Sequence, residues 1–129
     1  MMLNFLDLFG RILISIIFLY SGINKILNFE GTSQWMESFG VPGILLAPAI
    51  AVEIIFPIFL ILGFKTRLAA AILSLFCIIT ALIFHNEFSN QMQLIAFLKN
   101  IGLTGGLLLI IVHGTKEWAF ENKKKYVRL

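Results

Sequence analysis

The sequence predicts an all-α integral membrane protein, an antiparallel four-helix bundle. Three observations predict it. Apolar residues make up 59% of the 129-residue chain and charged residues only 13%, against about 25% charged in a water-soluble domain. Four separate segments each supply the roughly 20 apolar residues that a helix needs to cross about 30 Å of hydrocarbon. The lysines and arginines gather in connections that alternate across those segments. A mean hydropathy of +0.94 fits lipid, not water, as the main solvent.

The spans are taken in order. The first covers residues 6–27; it lacks the basic start and small-residue cleavage site of a signal peptide and is expected to be retained. A longer connection, residues 28–43, holds Trp35, Met36 and Phe39 on one face opposite Gln34 and Glu37, which predicts a short interfacial helix. It closes on the turn sequence Gly40-Val41-Pro42-Gly43, and the second span follows over residues 44–62. Gly63 is expected to cap the C-terminus of that helix and Thr66 to be the N-cap of the third span, residues 67–85. A polar connection leads to the fourth span, residues 93–113, and a basic tail, residues 114–129, completes one transmembrane domain over residues 1–129.

Orientation follows from charge. Lys65 and Arg67 flank the middle connection, and Lys116, Lys123, Lys124, Lys125 and Arg128 lie in the tail, all on one side of a four-span bundle. Of the cations at the span ends, Lys25 alone falls on the other side. Cytoplasmic loops carry the excess of Lys and Arg, so both termini are expected in the cytoplasm, with the tail resting on the anionic inner leaflet. The net charge of +3, distributed this way, is no signal for nucleic acid.

Ionisable groups within hydrocarbon are costly and mark candidate functional positions. Arg11, Glu53 and Lys99 fall within spans one, two and four. Arg11, Ser15, Phe18, Gly22 and Lys25 recur at helical spacing and share one face of the first helix. Lys99, Gly102, Gly106 and His113 form a comparable stripe on the fourth, and both stripes are expected to face inward. Glu53 lies roughly 13 Å from either end of its helix at 1.5 Å per residue, so it needs a partner or a proton. Side chains lean toward the N-terminus of their own helix, which carries Glu53 toward the level of Lys99 and away from Arg11. The pairing is either a strut between helices or part of a polar pocket, and the surplus cation favours a carbonyl, an anionic headgroup or a semiquinone-like species.

Other features are packing signals. Gly102 and Gly106 form a GxxxG spacing that permits close helix contact, and Ala70 and Ser74 give the third span a small-residue edge. Pro48 and Pro57 bracket Glu53 and are expected to kink span two and free carbonyls. Cys77, the single cysteine, sits in an apolar run as a small hydrophobe. His85 and His113 fall at opposite membrane faces, so no metal is expected.

Several of these stretches together resemble the DoxX family of bacterial four-helix membrane proteins. The matching segments are Gly10-Arg11, then Ser21-Gly22-Ile23-Asn24-Lys25, then Phe39-Gly40-Val41-Pro42-Gly43, then Glu53. Leu62-Gly63-Phe64-Lys65-Thr66-Arg67-Leu68-Ala69-Ala70, Leu98-Lys99-Asn100-Ile101-Gly102 and Gly105-Gly106 continue the series, which covers roughly residues 10–114. The resemblance implies a bacterial inner (plasma) membrane protein with a redox association, in some members thiosulfate oxidation with quinone as acceptor. It implies a polar site of Arg11, Lys25, Glu53, Lys99 and Asn100, with quinone as the cofactor and no metal. The partners it points to are the lipid bilayer, a redox protein and a second copy of the chain.

Three functions stay open at this point. The first is a membrane subunit that binds quinone or a lipid-like molecule and supports a redox partner, as a subunit of a quinone-linked oxidoreductase, with no redox centre of its own visible. The second is a membrane chaperone or cargo-type scaffold without catalysis, as distant relatives of the family suggest. The third is a small proton-coupled transporter using Glu53. A fixed Glu53–cation pair without a cavity favours the scaffold. An apolar cleft leading to Lys99 and Asn100 favours quinone or lipid binding, and water paths from both faces favour transport.

Overall fold

The structure is a computed structural model, and it describes residues 1–122. Five α-helices and one short 3-10 turn account for the fold, with no strand among the described residues: α1 (Met2–Leu27), α2 (Phe29–Ser38), the turn Gly43–Leu45, α3 (Leu46–Leu62), α4 (Thr66–Phe84) and α5 (Gln91–His113). α1, α3 with its preceding turn, α4 and α5 are long and apolar enough to cross a membrane. The protein is thus an all-α integral membrane protein in contact with the lipid bilayer. Exposed leucines, isoleucines and phenylalanines cover the outside of the bundle, among them Leu13, Ile55, Leu75 and Leu109, because lipid leaves no reason to hide them.

The bundle is built as two helix pairs. α1 packs on α3, α4 packs on α5, and α3 meets α4 along the seam between the pairs. The shared core is Phe18, Leu60, Ala69, Ala70, Leu73, Cys77 and Leu107. On α1 the inward stripe is the one the spacing predicts: Arg11, Ser15, Phe18 and Gly22 are buried. A Cβ on Gly22 would stand 2.7 Å from Ile54 Cδ1 and 3.2 Å from Glu53 Cβ, so glycine lets α1 come close to α3 beside the carboxylate.

On α5 the predicted stripe is corrected. Lys99, Gly102 and His113 are exposed, while Thr104 and Leu107 are buried and Asn100, Leu103 and Ile111 are partly so. The helix is apolar nearly all round, so its few polar residues gave little basis for choosing a face. The GxxxG reading changes with it: a Cβ on Gly102 would touch nothing within 4 Å, and one on Gly106 would meet only Ile14 Cδ1, at 3.3 Å.

Two terminal signals also resolve. Gly63 caps α3 in the left-handed region (φ 72), with Phe64 N–H donating to Phe59 O at 2.9 Å and Gly63 N–H to Leu60 O at 3.3 Å, a Schellman arrangement. Thr66 is not the N-cap of α4. Lys65 takes that place at φ 44, because the short link leaves no further residue between the helices. Thr66 is instead the first helical residue, and its N–H donates to Glu121 Oε2 at 3.3 Å. Pro48 falls in the first turn of α3, where a missing N–H is harmless, so Pro57 is the proline that interrupts the helix interior.

After α5 the chain folds back under the end of the bundle where α1 begins and α5 ends. Glu121 N–H donates to Gly63 O at 2.9 Å, and Lys116 N–H donates to Asp7 Oδ2 at 3.2 Å. The predicted basic tail residues Lys123, Lys124, Lys125 and Arg128 lie outside the described residues.

Candidate functional site

The five sequence candidates divide into two clusters in opposite halves of the bundle. Arg11 stands alone near the end where α1 begins. It is 1% exposed, and its guanidinium is saturated: to Leu60 O at 2.8 Å, Ile61 O at 3.1 Å, Trp118 O at 2.6 Å and the Asp7 carboxylate at 3.0 Å. Leu60 and Ile61 belong to the last turn of α3, where Leu60 O has only the capping bond from Gly63 N–H, Ile61 O has no intrahelical partner, and the helix dipole attracts a cation. Arg11 thus ties α1, α3 and the segment after α5 together. Ser15 extends the same seam, donating to Pro57 O at 3.1 Å.

The second cluster centres on Glu53, and here the expected partner is corrected. Glu53 pairs with Lys25, Nζ to Oε1 at 2.6 Å, not with Lys99. Lys25 lies on the same α1 stripe as Arg11 but at the far end, and α1 runs antiparallel to α3. Its side chain leans toward the N-terminus of its helix, which here means into the membrane, so its long stem brings the ammonium down to Glu53. Ser21, one turn earlier, accepts from Nζ at 2.7 Å. Glu53 is 1% exposed; its Oε2 is buried and has no hydrogen-bond partner.

Beside this pair lies a cavity of about 300 Å³. It occupies the half of the bundle away from the start of α1, between the end of α1, α2, the start of α3, the end of α4 and the start of α5. Its lining includes Lys25, Glu53, Lys99 and Asn100 but not Arg11. Lys99, itself exposed, stands on the rim, and Asn100 is part of the wall. Aromatic rings supply much of the remaining surface: Phe18, Trp35, Phe76 and Phe84. Trp35 of α2 stacks on Phe84 of α4 with centroids 4.7 Å apart and meets Phe39 edge-on at 5.0 Å, so α2 closes one side of the cavity with an aromatic cluster. Small-molecule sites are typically concave and apolar with a few convergent polar groups, and this one has that character at the lower end of the usual size range.

Sequence reasoning missed Ser21, Trp35 and Phe84 as parts of one site. Ser21 carried a signal, lying four residues before Lys25 on one helix face. The aromatic wall carried none, because Trp35 and Phe84 come together only through tertiary packing. His85, at the cavity edge, meets Gln93 Oε1 through Nδ1 at 3.0 Å. Among the described residues no group of three His, Cys, Asp or Glu side chains could hold a metal ion.

A family model for DoxX matches residues 6–86, which takes in Arg11, Lys25 and Glu53. The chain is 36% identical over 120 residues to the inner membrane protein YqjF of Escherichia coli (strain K12), covering 91% of this chain and 92% of that protein. It is 35% identical over 114 residues to the inner membrane protein YphA of the same organism, covering 83% and 81%. No solved structure matches it.

Proposed function

Since this chain belongs to the DoxX family, we propose that it is a bacterial inner-membrane protein that binds a quinone-type ring or a lipid-like amphiphile in the cavity beside Glu53, in support of a redox partner. The observation that carries the reading is the cavity itself: an aromatic, apolar recess lined by Lys99 and Asn100 and by the ion pair of Lys25 with the buried Glu53. A fixed Lys25–Glu53 pair alone would suit a scaffold. A strut needs no recess next to it, and in hydrocarbon an unfilled recess gives up packing on every wall.

The chemistry of the lining suits such a ligand. A flat ring can lie against Trp35, Phe76 and Phe84 with offset or edge contacts. Asn100 and Lys99 supply donors for a ring oxygen at the rim, and the Lys25–Glu53 pair supplies polar groups at the other end. The remaining apolar part of the ligand extends into lipid. Within this reading the positive-inside distribution puts both termini in the cytoplasm and the cavity in the outer half of the membrane. The names of the relatives place those proteins in the inner membrane, and the same location is proposed here.

The test is native mass spectrometry of protein purified in mild detergent, followed by solvent extraction and quantification of bound quinone and lipid. A single class of amphiphile is expected at up to one per chain, and lost in Lys99→Met. Wild-type protein carrying no quinone or lipid by either measurement would overturn the proposal.

A further inference from the structure

The polar end of the cavity is incomplete in a particular way. Lys25 Nζ has three N–H donors and spends two, on Ser21 Oγ and Glu53 Oε1. Its side chain remains 23% exposed and lines the cavity. Glu53 Oε1 is taken, while Oε2 is buried without any partner. An orphaned carboxylate oxygen in a low-dielectric surrounding is one of the most costly groups a fold can leave open. The pair therefore offers one unused donor next to one unused acceptor.

Few groups answer both. A carbonyl accepts and cannot donate, so it satisfies Lys25 and leaves Glu53 Oε2 open. An ether does the same. A hydroxyl does both, donating to Oε2 and accepting from Nζ, and on a flat ring it can reach the pair while the ring lies against the aromatic wall. We propose that the head of the ligand is a ring hydroxyl seated across the Lys25–Glu53 pair, so that the site holds the reduced, dihydroxy form of a quinone in preference to the oxidised form. This rests on the ligand-binding reading above and adds to it which redox form is held.

The preference has a thermodynamic consequence. Tighter binding of the reduced form raises the two-electron potential of the bound couple, by about 30 mV for each tenfold ratio of affinities. A hydrogen bond to a charged acceptor is expected to give at least a tenfold ratio.

The experiment uses the full chain in nanodiscs and one short-tailed benzoquinone, compared with its own hydroquinone under argon by isothermal titration calorimetry. The hydroquinone is expected to bind at least tenfold more tightly, and the midpoint potential of the bound couple to rise by about 30 mV or more. A smaller ratio, or a reversed one, overturns the hydroxyl assignment and leaves the cavity reading standing. Binding of neither form, to protein stripped of endogenous amphiphile, overturns both. Glu53→Gln, which keeps the shape but removes the charge, is expected to cut the preference by at least threefold. A full preference in that variant removes Glu53 from the proposal. Should the variant not fold, the wild-type ratio and the potential still decide.

Discussion

Replacing Arg11 by methionine tests the view that this buried cation is a structural clamp. Methionine matches most of the stem, so the loss is chiefly that of the guanidinium. Its removal takes the charged donor from Leu60 O, which is buried and keeps only the longer bond from Gly63 N–H, and from Ile61 O and Trp118 O, which are partly buried. Losing a buried hydrogen bond to a charged donor costs about 1.5–3 kcal/mol, and the two partly buried acceptors add a fraction of that each. The expected destabilisation is about 2–4 kcal/mol. Asp7, at 18% side-chain exposure, can be rehydrated, so Asp7→Asn should cost under about 1 kcal/mol. The protein provides its own assay: Cys77 is the single cysteine and is 2% exposed, so a thiol-reactive fluorophore reports unfolding. With about 3–6 °C per kcal/mol at this chain length, Arg11→Met should lower the midpoint by about 10 °C and Asp7→Asn by only a few degrees. Equal, small shifts in both variants would refute the clamp.

Further expectations concern the other half of the molecule and the chain's orientation. Lys25→Met should destabilise more than Glu53→Gln, because it strands a buried carboxylate while the amide carries no charge; the double variant should recover part of the loss in the same thiol assay. Lys99→Met should leave the unfolding midpoint within a few degrees of wild type, since the side chain is exposed at the rim, while lowering ligand occupancy measured by extraction. Gly63→Ala should cost about 2 kcal/mol or more, because the new Cβ would stand 2.3 Å from Ala119 Cβ at a backbone φ of 72; limited proteolysis should then cut after residue 113 more readily. In a Cys77→Ser background, Asn90→Cys should react with an impermeant maleimide on intact cells and Lys65→Cys should not; the opposite pattern reverses the topology.

Much of the fold was legible in the sequence because lipid imposes simple arithmetic on helix length and charge. The α1 stripe was readable for a further reason: Arg11, Ser15, Gly22 and Lys25 are polar or small amid large apolar residues, so their period stands out. α5 offered no such contrast, and its face was misassigned. For the site, depth could be read but neighbours could not. The sequence places Glu53 and three cations at approximate heights, yet which cation meets it depends on which helices touch. The close approach at Gly22 decides that in favour of Lys25. The cavity walls were invisible for the same reason, since Trp35 and Phe84 meet only once α2 lies over the end of α4.

Arg11 and Lys25 fasten α1 to α3 at two well-separated points, one in each half of the membrane. α1 and α3 are thereby held in register from both sides, while α4 and α5 pack as the other pair. Sliding α1 along α3 by a single turn, about 5.4 Å, would break the Arg11 and Lys25 contacts together, so the wall that these two helices give the recess is fixed from either end.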